Sequence, residues 1–262
     1  MDVSRAVWQS RSLRLYLGGA FVAIGSCFAV GAYVGFVQPA IESERNSSCN
    51  RHLSIIGMAM RNYADVYGCF PPAYVADDNG MPAHSWRVLL LPFLDRQDLY
   101  DRYDFNEPWD GPRNRRLAHE LGGKIPIYNC PSDPSTWRTG GTNYVVVTGP
   151  GTAFTDANSA QVSDFVDGVG NTVLIVEVTG TDIQWMEPRD LSLETMDFTI
   201  GYPTGNNLSS LHPRRVHVLT AAGHVWPLSP GVTEHDIRGL LSLEGGEQLD
   251  WAGLAANNDS GR

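Results

Sequence analysis

The side chains able to do chemistry fall into a few groups. Four cysteines are present, Cys27, Cys49, Cys69 and Cys130. No two are spaced as CxxC, which argues against a zinc site made from neighbouring cysteines. Cys27 lies in an apolar run and reads as inert. The other three make at most one disulfide, and Cys49 with Cys130 is the favoured pair. Histidines gather late, at His212, His217, His224 and His235. His217 and His224 are placed to face each other across a hairpin, and Glu234 and Asp236 flank His235. Such a set can hold a metal, although scattered surface histidines are the commoner arrangement.

Oxygen donors offer a second possibility. Asp164, Asp167 and Asn171 surround Gly168 and Gly170, a spacing that could hold calcium. The competing reading is a hydrogen-bonded loop ahead of a strand. Asp77-Asp78-Asn79-Gly80 carries the same two readings, with an ordinary turn favoured. No cofactor is expected, with calcium at Asp164, Asp167 and Asn171 as the alternative. Glu177 ends an apolar strand, so it needs a partner, and Arg87 or Arg189 could serve. General acid/base work needs a second carboxylate across a cleft, and neither Glu177 nor Glu187 has an evident one. Trp109 and Trp137 lie in Pro- and Gly-rich loops, where an indole can stack on a sugar or line a solute cleft. Trp86, among leucines, reads as core. There is no Gly-x-Ser-x-Gly elbow, no HExxH and no Gly-rich phosphate loop. No catalytic residue is assigned and an enzyme is not expected.

The elements that must position these groups follow from periodicity. Glu42 to Tyr67 reads as helix, with Cys49, Leu53, Ile56, Met60 and Tyr63 forming one apolar stripe. Pro39 is expected to kink it, Gly68 to cap it, and Pro71-Pro72 to stop it. His84 to Tyr103 reads as two short helices divided by Pro92. Arg113 to Leu121 is another, stopped at Gly122-Gly123. Ile125–Asn129, Asn143–Thr148, Thr172–Val178 and Ile183–Met186 read as strands. Val216–Thr220 and His224–Leu228 read as a hairpin, followed by a helix from Thr233 to Leu241 capped by Thr233. Helices first and strands afterwards give an α+β fold with a mostly antiparallel sheet. The exterior part, residues 41–254, reads as one domain, and the tail 255–262 as frayed.

Charge and hydropathy divide the chain. It has 262 residues and a net charge of −10. Residues 1–41 carry Asp2 against Arg5, Arg11 and Arg14. The acidic bulk excludes nucleic acid as a partner, because phosphate binding needs a basic footprint. From Leu15 to Val37 no residue is charged, and about 20 apolar residues cross a hydrocarbon core. The expectation is an uncleaved signal anchor at 15–37 in contact with membrane lipid. Residues 1–14 are then a cytoplasmic tail, and the C-terminal domain is periplasmic or otherwise extracytoplasmic. Gly31 and Gly35 form a GxxxG pair, which is common in spans generally.

Several motifs in order carry a family resemblance. They are His84-Ser85-Trp86-Arg87-Val88-Leu89-Leu90-Leu91-Pro92, Glu107-Pro108-Trp109-Asp110-Gly111-Pro112 and Cys130-Pro131-Ser132-Asp133-Pro134. Thr142-Asn143-Tyr144, Gly149-Pro150-Gly151-Thr152, Asp167-Gly168 with Asn171-Thr172, and Trp185-Met186-Glu187-Pro188-Arg189-Asp190-Leu191 continue the match. Over about Cys49 to Trp226 the chain resembles the large planctomycete family known as domain of unknown function 1559. The resemblance implies a pseudopilin-like surface protein, with an N-terminal membrane helix continuing into a pilin-like head. One label on the family is solute-binding.

Many members end in His, nine residues, then Asp-Gly. Here His212 leads to Ala222-Gly223, so the aspartate is replaced while the turn glycine is kept. The span also lacks the acidic residue and the Gly-Phe-Thr-Leu leader of prepilins, which argues against filament assembly. The expected function is a membrane-anchored, non-enzymatic head that contacts other envelope proteins. The alternatives are an anchored solute or glycan binder and, behind it, a metal-dependent hydrolase.

Overall fold

The computed structural model describes residues 33–121, 125–155, 157–246 and 250–256. Two compact units are present, Met1–Glu44 and Arg45–Arg262. The tail 1–14 and all but the last five residues of the 15–37 stretch lie outside the described residues, as do 257–262. No described helix is long and apolar enough to cross a membrane.

Tyr33–Val37 forms a π-helical turn and α1 runs from Gln38 to Tyr67. The helix therefore begins before the expected Glu42. Pro39 follows directly on the π-helical turn, at the second residue of α1, and π-turns accompany such interruptions of the helical ladder. The stripe is buried as its spacing predicts: Cys49, Leu53, Ile56 and Met60 are all sealed from solvent. Ala64 continues it, whereas Tyr63 is half-buried against the core edge. Gly68 ends the helix at φ +78, donating its N–H to Ala64 O at 2.8 Å.

A hairpin the sequence did not announce follows, β1 (Tyr74–Ala76) against β2 (Pro82–Ser85). Its turn is the Asp-Asp-Asn-Gly run. Asp77 Oδ1 accepts from Asn79 N at 2.9 Å and Met81 N at 2.8 Å, so this carboxylate serves the turn. Three short helical pieces come next, α2 (Trp86–Leu89), a 3-10 turn at Leu91–Leu94 and α3 (Gln97–Tyr100). Then come α4 (Pro112–Glu120), a 3-10 turn at Pro126–Tyr128 and α5 (Pro134–Thr139). Two expectations fail here. Ile125–Asn129 is not a strand, because Pro126 fixes a helical φ and offers no ladder donor. Trp137 lies on α5 and not in a loop, because Asp133 caps a helix that Pro134 opens.

The second half is strand-rich: β3 (Tyr144–Val145), β4 (Val147–Thr148), β5 (Val173–Glu177), β6 (Leu191–Ser192), β7 (Asp197–Gly201), β8 (Asn207–Ser209), β9 (Val216–Thr220) and β10 (Val225–Leu228). The main sheet has the order β10-β9-β5-β3, antiparallel throughout. β4 with β6 and β7 with β8 are small parallel pairs. Ile183–Met186, expected as a strand, contributes one bridge from Gln184 to Gly141. Gln184 N donates to Glu187 Oε2 at 3.0 Å instead of to a neighbouring strand. Helix α6 (Glu234–Leu241) has Thr233 as N-cap, in a capping box with Asp236. α7 (Trp251–Ala255) closes the described chain.

Both faces of the sheet are covered, so β5 and β9 are buried along their whole length. Ile175 and Leu219 pack with Leu53, Ile56 and Met60 of α1. Val176, Val216 and Val218 pack with Ile237, Leu240 and Leu241 of α6. Gly57 lets α1 come close, since a Cβ there would meet Leu219 Cδ1 at 2.8 Å. By strand alternation Glu177 shares a face with Ile175, and His217 with Leu219. Both therefore point to the layer between α1 and the sheet.

Candidate functional site

That layer holds the one cluster of potential ligands found among the described residues. Cys49 comes from the first position of the α1 stripe. Cys130 opens the Cys-Pro-Ser-Asp-Pro turn, Glu177 is the last residue of β5, and His212 lies between β8 and β9. One ligand atom from each lies within 4.8 Å of all the others. The most exposed of the four is His212, at 3%.

Local hydrogen bonds fix each member. Asn143 is the hub for Cys130: its Oδ1 accepts from Cys130 N at 2.8 Å and from Thr136 Oγ1 at 2.8 Å. Its Nδ2 donates to Asp133 Oδ2 and to Val178 O, each at 2.9 Å. The Thr-Asn-Tyr and Cys-Pro-Ser-Asp-Pro motifs are thus one polar clamp. Glu177 Oε1 accepts from Ser210 Oγ at 2.8 Å. Its Oε2 faces the backbone N–H and Nδ1 of His217, both at 3.1 Å. His212 Nε2 lies 3.3 Å from Cys130 Sγ and 3.8 Å from Glu177 Oε1. On its other side Nδ1 lies 3.5 Å from Ser132 Oγ.

The electrostatics are those of a closed site. Cys49's hydrogen bond and burial push the Cys130 thiol well above its usual range, against the pull of His212. Burial would raise the Glu177 carboxyl, but the hydrogen bond and charge of His217, with the charge of His212, outweigh it and hold it below the usual range. Tyr144, paired in register with Glu177, is raised by burial first and then by Cys49 and Cys130. Its hydroxyl is buried without a hydrogen-bond partner.

The structure brings together Cys49 and Cys130, the pair expected as a disulfide, and places them as free buried thiols. It adds Glu177 and His212, both candidates of the metal-dependent hydrolase alternative, to the two cysteines. The expected partners of Glu177 are corrected. Arg87 pairs with Asp190 at 2.6 Å, and Arg189 pairs with Asp182 and Glu187, because the β5 terminus faces Ser210 and His217. His217 and His224 do not face each other: the register sets His217 opposite Pro227, leaving His224 exposed at the turn. His235 is exposed on α6. Gly223 makes the β9–β10 turn at φ +85 and donates to Thr220 O at 2.8 Å. The two ends of the His212–Gly223 motif therefore sit at opposite ends of β9, and only His212 joins the cluster.

The remaining candidates are engaged in local hydrogen bonds. Asp164 Oδ2 accepts from Gln161 N at 2.7 Å. Asp167 Oδ1 accepts from Gly246 N, and Asn171 Nδ2 donates to Asp167 O. These oxygens serve the loop before β5. Trp109 is half-buried and lines a depression of about 230 Å³ with Trp185, Met186, Ala118, Arg115 and Gln184. Trp137 is half-buried on α5 and is not part of that lining.

An amphipathic helix laid on an antiparallel sheet, with a sealed sulfur, imidazole and carboxylate cluster between them, defines an α+β protein. The chain belongs to the family described as "Protein of unknown function (DUF1559)", matched over residues 38–197. The match begins earlier and ends earlier than the motifs had suggested. It contains Cys49, Cys130 and Glu177 but stops before His212. The family's short name, SBP_bac_10, carries a solute-binding label. No curated protein and no solved structure matches the chain.

Proposed function

We propose that the protein is a membrane-anchored, extracytoplasmic member of its family, pseudopilin-like, whose head makes contacts with other envelope proteins and does no catalysis. The observation that carries this reading is the uncharged stretch Leu15–Val37 placed directly before α1. A span of that length needs no other segment to cross a bilayer. The arginines at 5, 11 and 14 favour a cytoplasmic N-terminus. The sealing of the Cys49–Glu177–His212 cluster also suits a structural role, since a catalytic group must reach its substrate.

The test is topology. The full chain, tagged at its C-terminus, is expressed and fractionated, and intact spheroplasts are treated with protease. The expected product is full-length, membrane-bound and cleaved from outside. A shortened, released product overturns the anchor.

A second reading is favoured by one observation, the depression lined by Trp109 and Trp185 together with Asp110, Arg115 and Gln184. Apolar walls with a few polar groups suit a solute or a sugar ring. A glycan or solute that quenches tryptophan fluorescence in the unaltered chain but not in Trp109→Ala supports it. No response across a broad panel removes it.

A further inference from the structure

We propose that Cys49, Cys130, Glu177 and His212 bind one divalent transition metal of the zinc class, closing a structural centre between α1 and the sheet. The distances fit. Zinc bonds of about 2.3 Å to sulfur and about 2.0–2.2 Å to nitrogen or oxygen set tetrahedral ligand separations of roughly 3.3–3.8 Å. Cys130 Sγ to His212 Nε2 is 3.3 Å, and His212 Nε2 to Glu177 Oε1 is 3.8 Å. The fourth atom, from Cys49, lies within 4.8 Å of the other three.

The donor chemistry fits equally. Two sulfurs, one imidazole and one carboxylate make a mixed soft and borderline set, which at tetrahedral spacing suits zinc. Four protein ligands leave no open position, so the centre is of the structural kind. Binding removes one proton from each thiol, and both protons leave to solvent. The two thiolates and the Glu177 carboxylate together carry one negative charge more than the ion, and His217 at 3.1 Å from Glu177 Oε2 is the group placed to offset it.

The outer groups are also in place. A ligating histidine commonly has a partner for its other ring nitrogen, and His212 Nδ1 has Ser132 Oγ at 3.5 Å. The ligating carboxylate is steadied by Ser210 and His217. Tyr144 supplies an orphaned buried hydroxyl beside the sulfurs.

The rival is a Cys49–Cys130 disulfide, which takes both sulfurs and excludes the metal. The full chain in mild detergent is purified, reduced, exposed to zinc, desalted and assayed for metal. One zinc per chain is expected, retained in Cys69→Ser and lost in Cys130→Ser and His212→Ala. Chelation is expected to lower Tm by on the order of 10 °C. Because those variants could fail to fold, cobalt is also loaded into the unaltered chain. Thiolate-to-cobalt charge-transfer absorption with strong tetrahedral d–d bands is expected. Three results overturn the site: a metal-free chain with both thiols titratable, a Cys49–Cys130 disulfide in the isolated protein, or zinc that survives His212→Ala in a folded chain.

Discussion

Arg87 with Asp190, and Glu177 with its neighbours, are both fully buried polar groups beside β3, and their partners differ in kind. All three guanidinium nitrogens of Arg87 are engaged, with Tyr144 O, Ser85 Oγ and Asp190 Oδ1. Asp190 in turn accepts from Trp86 Nε1 and Val146 N. Donors and acceptors match, and protein atoms alone complete the group. Around Glu177 the carboxylate is also satisfied. Next to it two thiols converge on the His212 imidazole, which also meets Ser132 Oγ and Glu177 Oε1, and the Tyr144 phenol is left unmatched. The first region is a finished lock, and the second collects lone pairs that a cation would complete. A buried polar group is thus no guide to function until its partners are counted.

The largest expected effect breaks the lock. Arg87→Met leaves Asp190 buried and unpaired, and should cost about 3–5 kcal/mol in urea unfolding. Adding Asp190→Asn should recover part of that loss, and neither change should remove bound metal. Glu177→Ala takes the acceptor from Ser210 and His217 and should cost about 2–3 kcal/mol. Unlike Arg87→Met it should also abolish zinc uptake, which separates the two regions. Gly223→Ala forces a side chain into the left-handed turn at φ +85. It should cost about 1–2 kcal/mol in the same assay, with the metal retained, because the turn lies at the far end of β9 from His212.

The smallest effect concerns pH. His84 is buried with its Nδ1 at 2.9 Å from Tyr103 Oη, and burial lowers its pKa below the ordinary 6.5. The folded state therefore prefers the neutral ring. Its contribution is present above pH 6.5 and is lost as pH falls below 6.5 through the folded value. His84→Phe should flatten the acid side of the stability profile over that window, measured by thermal melts from neutral to mildly acid pH.

Much of this was legible in the sequence. The Cys49–Leu53–Ile56–Met60 spacing located the helix face, and Gly68 located its end. Val173–Glu177 and the β9–β10 hairpin followed from β-branched runs between turn residues. Thr233 marked the last cap. The β1–β2 hairpin was missed because its strands are three and four residues long and one starts with proline. Ile183–Met186 read as a strand by composition, yet Glu187 captures the Gln184 N–H. The cluster was legible only in pieces. Cys49 with Cys130, Glu177 and His212 each drew notice, but four separate segments supply them, and only the register of β5 and β9 against α1 puts them together. Arg87 was offered to Glu177 by charge alone, whereas the fold gives it Asp190.

The most direct test of the comparison is native mass spectrometry of the full chain released from detergent. The account predicts a mass above the covalent value by one zinc less two protons, falling to the covalent mass on denaturation, for the unaltered chain and for a folded Arg87→Met/Asp190→Asn double variant alike. A native mass equal to the reduced covalent mass, or lighter by the two hydrogens of a Cys49–Cys130 disulfide, would contradict it.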